Sequence, residues 1–341
     1  MRKNERMIPM KKLLCLFMAT ISILTMLAGC TGKQADPTTD PTTAPTEVTQ
    51  SPEEAAVYKI LMIGQSLAQD TVWFLYDVLK AEMPDKEFMV GDVYKSTDLE
   101  EHVANIKSNN PVYTYYEWSD KGRNQVSKTY TIDEALKGQQ WDLIIFNDAT
   151  YPTTREREFL DGDHEFMIEH IRKTAAPGYQ LAYNATWAKP KTRELHSDDN
   201  WSHFVTHFGG DRDLYYSLIC YNIKYYIEPN EEFDLVFYTG TALQYATETC
   251  GVEEAEVYRD HIHLSDYGRL LVAYQVYAQI FGLEKLTQVN VDKIKLIDRF
   301  TNDKHNPTDD LEISEHHRDA IIASVNWALE YPNSKPSQTA R

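Results

Sequence analysis

Residues 57–63 read VYKILMI and stop at Gly64-Gln65-Ser66. A run that is apolar at nearly every position has no wet face. It predicts a strand covered on both sides, of the kind found inside parallel sheets. Parallel strands need crossovers of a dozen or more residues, usually helices. The chain downstream supplies them. Val72, Leu75, Tyr76 and Leu79 keep helical spacing and predict a helix over 69–82. Glu87–Val90 reads as the next strand, and Thr97–Lys107 as a helix capped by Thr97 or Asp98. Residues 112–132 break the rhythm: YTYYEW and QVSKTYTI, separated by SDKGRN, predict a β-hairpin insertion. Trp141–Phe146, Gln180–Ala185 and Leu235–Tyr238 read as further strands. Helices are expected over roughly 156–174 and 203–227, with the last strong one at 266–281. The alternation predicts an α/β fold with a mostly parallel sheet covered by helices on both faces. An active site then belongs at the carboxyl ends of the strands. No internal repeat is visible, and residues 57–335 suit one domain.

The first 56 residues stand outside that pattern. Arg2, Lys3, Arg6, Lys11 and Lys12 precede an apolar run from Leu13 to Leu27, which ends in Leu27-Ala28-Gly29-Cys30. A basic start and a short apolar run make an export signal. The run falls short of the roughly 20 residues that span a bilayer comfortably. Its end looks like a lipobox, which gives 1–29 as a lipoprotein signal peptide and Cys30 as the lipidated residue. Residues 30–56, with Pro37, Pro41 and Pro45 among threonines, predict a disordered tether. A lipidated Cys carries more than one acyl chain and so anchors stably. The expected location is the outer face of a bacterial cytoplasmic membrane, held by that lipid. The net charge of −18 argues against nucleic acid as a partner, because phosphates would be repelled. Of four cysteines, Cys15 leaves with the signal and Cys30 is lipidated. Cys220 and Cys250 then form one disulfide or stay as two free thiols.

Three strand ends carry residues with chemical potential. Gly64 before Ser66 lets the backbone bend sharply and expose the hydroxyl, with the Ser66 amide at a helix start where it can donate to an oxyanion. The same pattern also serves as an ordinary helix cap. Asn147-Asp148 follows the strand 141–146, and reads either as an oxyanion-donating amide or as a plain turn. Arg259-Asp260-His261-Ile262-His263-Leu264-Ser265 precedes the final helix. In a turn, Asp260 can accept from His263 Nδ1–H, fix the tautomer and leave Nε2 free as a base. The plainer reading is a surface loop with Ser265 as a cap. His261 and His263 also permit a metal, yet no further ligands stand at conventional spacing, so neither metal nor cofactor is expected.

Taken in order, a first-strand Ser, a mid-chain Asn and a C-terminal Asp-x-x-His resemble the SGNH (GDSL-like) hydrolases. Lys59–Ala81, the Tyr-rich hairpin, WDLIIF, Ala185-Thr186-Trp187-Ala188 and RDHIHLSDYGRLLVAYQVYAQIFG resemble a bacterial lipoprotein branch of that superfamily, known mainly as domains of unknown function. The resemblance spans about 58–282. It implies a three-layer α/β/α sandwich, flavodoxin-like in its sheet. It also implies Ser66 as nucleophile, His263 as base, Asp260 as its orienter and Asn147 as an oxyanion donor. Two positions depart from the family pattern. Gln65 stands where Asp or Asn is usual, and Tyr94-Lys95-Ser96-Thr97-Asp98 holds no glycine at the family's second block. A backbone N–H from Ser96 or Thr97 is the expected substitute. Gln65, Asp148 and Trp187 are expected to touch substrate. Trp187, Tyr183, Trp201 and the aromatics of 113–118 form either a sugar-stacking platform or ordinary packing. His102, between acidic neighbours, is expected to be solvated, and His196, His203 and His207 to border the cleft.

The function these residues favour is a surface-anchored serine esterase. Its expected work is removing acetyl groups from glycans by way of an acyl-enzyme. A non-catalytic glycan-binding lipoprotein on the same scaffold is the alternative. A solute-binding lipoprotein is a third, although the single strand series lacks the two matching lobes such proteins need.

Overall fold

The computed structural model describes residues 56–294 and 313–336. The expected signal peptide, Cys30 and the tether up to residue 55 lie outside the described residues. Among the described residues, seven strands form one sheet: β1 (Val57–Gly64), β2 (Glu87–Tyr94), β3 (Tyr113–Ser119), β4 (Gly122–Tyr130), β5 (Leu143–Phe146), β6 (Gln180–Asn184) and β7 (Leu235–Phe237). Their order is β4-β3-β2-β1-β5-β6-β7. β1 pairs in parallel with β2 and β5, and the parallel run continues through β6 to β7. β3 and β4 add an antiparallel hairpin to the β2 edge, as the hairpin reading required.

Burial explains the strand sequences. Ile60–Ile63 are essentially inaccessible, and alternate residues feed two different cores. Ile60 and Met62 join Val78, Leu271 and Val276 on one face. Leu61 and Ile63 join Ile144, Ile171 and Ile219 on the other. The architecture is therefore the three-layer α/β/α sandwich. Cys220 packs against one core and Cys250 against the other, so the sheet separates them, and both are free.

Several elements differ from the sequence reading. The helix expected over 69–82 is two, α1 (Ser66–Val72) and α2 (Leu75–Glu82), broken at Trp73-Phe74. β2 runs four residues past its expected end, because Gly91 and the buried Asp92 interrupt its apolar signal without ending its ladder. The Thr97–Lys107 helix begins at Leu99 as α3, capped by Asp98 rather than Thr97. Helix α4 (Ile132–Gly138) begins where the hairpin was expected to continue, marked by a capping box from Thr131 to Glu134. Gly162, at φ +93°, separates a short 3₁₀ turn from helix α5 (Asp163–Thr174). Gly209-Gly210 divides the 203–227 region into α6 (Asp198–Phe208) and α7 (Arg212–Asn222). Helix α8 (Thr239–Glu248) follows β7, and α9 (Asp266–Ile280) is the buried helix expected at 266–281. It is not the last: α10 (Glu315–Glu330) packs on α8 and α9, with Trp327 stacked 4.6 Å from Tyr245. No helix among the described residues is long and apolar enough to cross a membrane.

Candidate active site

Strand order reverses direction beside β1, whose two neighbours are β2 and β5. In open parallel sheets the crevice at such a switch point is where ligands bind, outside the carboxyl ends of the strands. Ser66 follows the end of β1, and Asn147 follows the end of β5. The two strands pair up to Ile63–Phe146, which brings both residues to one edge. Gly64 makes their approach possible. A Cβ there would lie 2.6 Å from Asn147 Oδ1 and 2.7 Å from Ala68 Cβ, so any larger residue would push the amide away. Asn147 is buried, and neither its Oδ1 nor its Nδ2 has a hydrogen-bond partner among the described residues. Asn184, at the end of β6, is the contrast. Its Nδ2 donates to Thr71 Oγ1 at 3.0 Å and its Oδ1 accepts from Thr239 Oγ1 at 2.8 Å. A buried amide left unpaired costs about 1–3 kcal/mol. Asn147 stands unpaired among the described residues, at the same sheet edge as Ser66.

The histidine arrives on the loop between Tyr258 and Leu264, which is pinched by an antiparallel bridge. Asp260 organises that loop. Its Oδ1 accepts from the N–H groups of Ile262 at 2.9 Å and His263 at 2.8 Å, an Asx turn. Its Oδ2 lies 2.7 Å from His263 Nδ1. Burial pushes the Asp260 carboxyl up, but the hydrogen bond and charge of His263 and the two N–H groups outweigh it. They hold the group well below the ordinary carboxylate range. An ionised carboxylate can only accept, so Nδ1 carries the proton. Nε2 is left as the acceptor, 2.8 Å from Ser66 Oγ. Ser66 is the first residue of α1, and its N–H has no acceptor within the helix.

A second acid anchors the loop from beneath. Asp70, one turn along α1 from Ser66, is fully buried. It lies 2.8 Å from Arg269 Nε and 3.0 Å from Arg259 Nη1, and accepts from Leu264 N–H at 2.8 Å. Burial alone would raise its pKa, but the charges of Arg269 and Arg259 prevail and lower it. α9 comes close enough to complete this network because residue 268 is glycine: a Cβ there would stand 2.3 Å from the Val257 carbonyl. Neither Asp70 nor Arg269 was singled out from the sequence. A lone acid inside the apolar face of α1, and a lone Arg inside a helix as apolar as α9, were the available signals.

The structure brings Ser66, Asp260, His263 and Asn147 to one sheet edge and turns other expected contacts inward. Asp148 is not presented to a ligand. It is buried, accepts from Leu99 N–H at 3.2 Å and Ala149 N–H at 2.6 Å, and burial raises its pKa to about 7. Trp187 is wholly buried, and its Nε1 donates to the Ile262 carbonyl at 2.8 Å. It braces the histidine loop and offers no face for stacking. Tyr183, Tyr113, Tyr115, Tyr116 and Trp118 likewise fill the cores, while Trp201 keeps partial exposure. His102 is not solvated: it is buried against Tyr113, whose hydroxyl lies 2.9 Å from its Nδ1, and burial pulls its pKa down to about 4. Gln65 is buried with both amide atoms unpaired among the described residues. Ser96 and Thr97 follow β2 at the same edge, since Tyr94 pairs with Gly64. The Lys95 N–H between them and the strand is taken by the Gly64 carbonyl at 3.1 Å. Among the described residues, no group of three His, Cys, Asp or Glu side chains is placed to hold a metal.

Residues 59–297 match the family described as domain of unknown function DUF4886. The chain belongs to this family. A crystal structure of a DUF4886 family protein from Bacteroides uniformis superposes with a TM-score of 0.66 at 22% identity, covering 83% of this chain and 99% of that one. That likeness extends to the fold. A candidate SGNH hydrolase from Slackia heliotrinireducens aligns with a TM-score of 0.43 at 15% identity, over 66% of this chain and 100% of its own. No curated protein matches the sequence.

Proposed function

We propose that this DUF4886 protein is a serine esterase that removes acyl groups, acetyl above all, from carbohydrates. The observation that carries the reading is the relay from Asp260 through His263 to Ser66, with spacings of 2.7 and 2.8 Å. Ser66 Oγ attacks the ester carbonyl and passes its proton to His263 Nε2. The developing oxyanion is met by the Ser66 N–H and the Asn147 amide, with the Ser96 or Thr97 backbone as the third donor. His263 returns the proton to the departing sugar hydroxyl. Water, activated by the same imidazole, then releases the acid. Asp260 keeps the imidazole in its working tautomer and balances the imidazolium charge. No cofactor enters any step.

Carbohydrate, rather than lipid, is favoured by the expected position at the cell surface. There Cys30 would hold the domain on a tether of about 25 residues, reaching on the order of 25–30 Å on average. The test is hydrolysis of a small acetyl ester and of acetylated oligosaccharides by the purified domain, with Ser66→Ala as control. Activity lost in the variant supports the esterase. Absence of hydrolysis, together with glycan binding that survives Ser66→Ala, supports the non-catalytic binding lipoprotein instead.

A further inference from the structure

The segment 187–192 runs along the loop that carries His263. Trp187 Nε1 bonds the Ile262 carbonyl, the Tyr258 hydroxyl donates to the Ala188 carbonyl at 3.2 Å, and Thr192 N–H and Oγ1 donate to Glu254 at 2.8 and 2.7 Å. Between these anchors sits Lys189, only 5% exposed. Among the described residues its side chain makes no ion pair and no hydrogen bond. The stem is buried while the ammonium itself keeps an opening to solvent, so a charge there is reachable by a ligand. The carboxylates close by are committed elsewhere. Asp260 is taken by His263, Glu254 by Arg212 at 3.0 Å, and Asp198 by Arg193.

The charge of Lys189 is felt by three imidazoles, those of His196, His203 and His261. The His196 ring lies 6.1 Å from that of His261, which in turn lies 6.3 Å from His263. His196 Nε2 is 2.8 Å from the Pro190 carbonyl and so carries the proton, and its buried Nδ1 has no partner among the described residues. His203 packs edge-on against Tyr151 at 4.6 Å, and its buried Nδ1 is also unpaired.

We propose that Lys189, with His196, His203 and His261, forms, beside the loop that carries His263, an anion-binding subsite which holds a carboxylate carried by the same molecule as the ester. The substrate class is thus an acylated acidic sugar, a uronic acid. The ester part rests on the esterase reading; the anion subsite does not. Burial pulls the Lys189 and His196 values down, and burial with the Lys189 charge pulls His261 to about 4 and lowers His203. The imidazoles, held below the ordinary histidine value, are uncharged at neutral pH and leave the Lys189 ammonium as the cationic group of these four side chains. One charge matches a carboxylate; a phosphate ester carries nearly two negative charges at that pH. Asp260, ionised and bonded to His263, stands 3.7 Å from His261 Nδ1, so the anion is drawn to the Lys189 side of the subsite.

The test uses Ser66→Ala protein, so that binding is read without turnover. Methyl glucuronoside and methyl glucoside are titrated, with inorganic phosphate as a third probe. The glucuronoside should bind at least about tenfold tighter than the glucoside, the worth of one hydrogen bond to a charged group. Lys189→Met should abolish that difference, and Lys189→Arg should restore part of it. Lys189→Met should leave the Tm of the free protein essentially unchanged, since it removes no ion pair or hydrogen bond among the described residues; a purely structural lysine would lower it. Equal binding of both sugars, tighter binding of phosphate than of glucuronoside, or selectivity unchanged in Lys189→Met and in Lys189→Gln overturns the subsite. With the Ser66 protein and the mono-acetylated forms of both sugars, the kcat/KM ratio should favour the acidic one by about tenfold or more. Hydrolysis of both at equal rates overturns the subsite and leaves the esterase standing. Selective binding with no hydrolysis of either does the reverse.

Discussion

Asp70→Asn is the most informative change outside the reacting atoms. The substitution keeps size and leaves an acceptor for the Leu264 N–H, 2.8 Å away. It removes the negative charge that Arg269 and Arg259 face at 2.8 and 3.0 Å. Arg269 is buried, and its other acid, Asp266, stands at 3.4 Å. Breaking a buried pair by neutralising one partner costs about 3–5 kcal/mol. Because Asn still accepts one hydrogen bond, the lower end, about 3 kcal/mol, is expected. The sign with pH follows from the folded-state shift. The Asp70 value is lowered in the native protein, so its contribution is present above the unfolded value near 4 and is lost as pH falls further. Urea denaturation should therefore show the variant well below wild type at pH 7, with the two converging below pH 4. Arg259, Leu264 and His263 share one loop, so a shift of about 1 Å there should slow Ser66 acylation on the order of 10²-fold without any change at Ser66. A variant within 0.5 kcal/mol of wild type at pH 7 and acylated at the wild-type rate would refute Asp70 as the anchor of the loop.

Asn147→Ala should lower kcat/KM for an acetyl ester by about 10²-fold while the fold is retained, because the amide it removes has no partner among the described residues; an unchanged rate removes it from the oxyanion site. The buried Asp92 carboxyl has its pKa raised to about 7 by burial, against the Gln69 hydrogen bond and the Arg123 charge. Its stability contribution is fully present below about pH 4 and is lost as pH rises towards 7, at about 1.4 kcal/mol per unit at most. Wild-type urea midpoints should therefore fall between pH 5 and pH 8, and Asp92→Asn should flatten that fall; parallel profiles contradict it. Cys30→Ala should move the protein from the membrane to the soluble fraction; membrane recovery of the variant with a lipid mass shift would contradict the anchor.

Much of the layout could be read from residue pattern because burial writes it twice. Strands such as Leu143–Phe146 are apolar at every position, and the Asp260–His263 spacing closes a turn that needs no distant residue. What stayed hidden depends on partners far along the chain. Asp92 made the end of β2 look like a loop, though it sits in the ladder opposite Tyr116. Trp187 and the 113–118 aromatics look like a platform by composition. Only the packed structure shows Trp187 spent on the Ile262 carbonyl and the others inside the cores. Asp70 and Arg269 are 199 residues apart, and Lys189 draws its meaning from having no paired acid among the described residues, which no linear pattern reports. The Thr131–Glu134 capping box, by contrast, was legible, and the β-propensity of QVSKTYTI obscured it.

The central claim is that Ser66 is a nucleophile activated by His263, and intact-protein mass spectrometry after exposure to a fluorophosphonate tests it most directly. One adduct should form on Ser66 at neutral pH, vanish in Ser66→Ala, and form at least about 10³-fold more slowly in His263→Ala. No adduct on the folded wild-type protein, or an adduct that persists in Ser66→Ala, would contradict it.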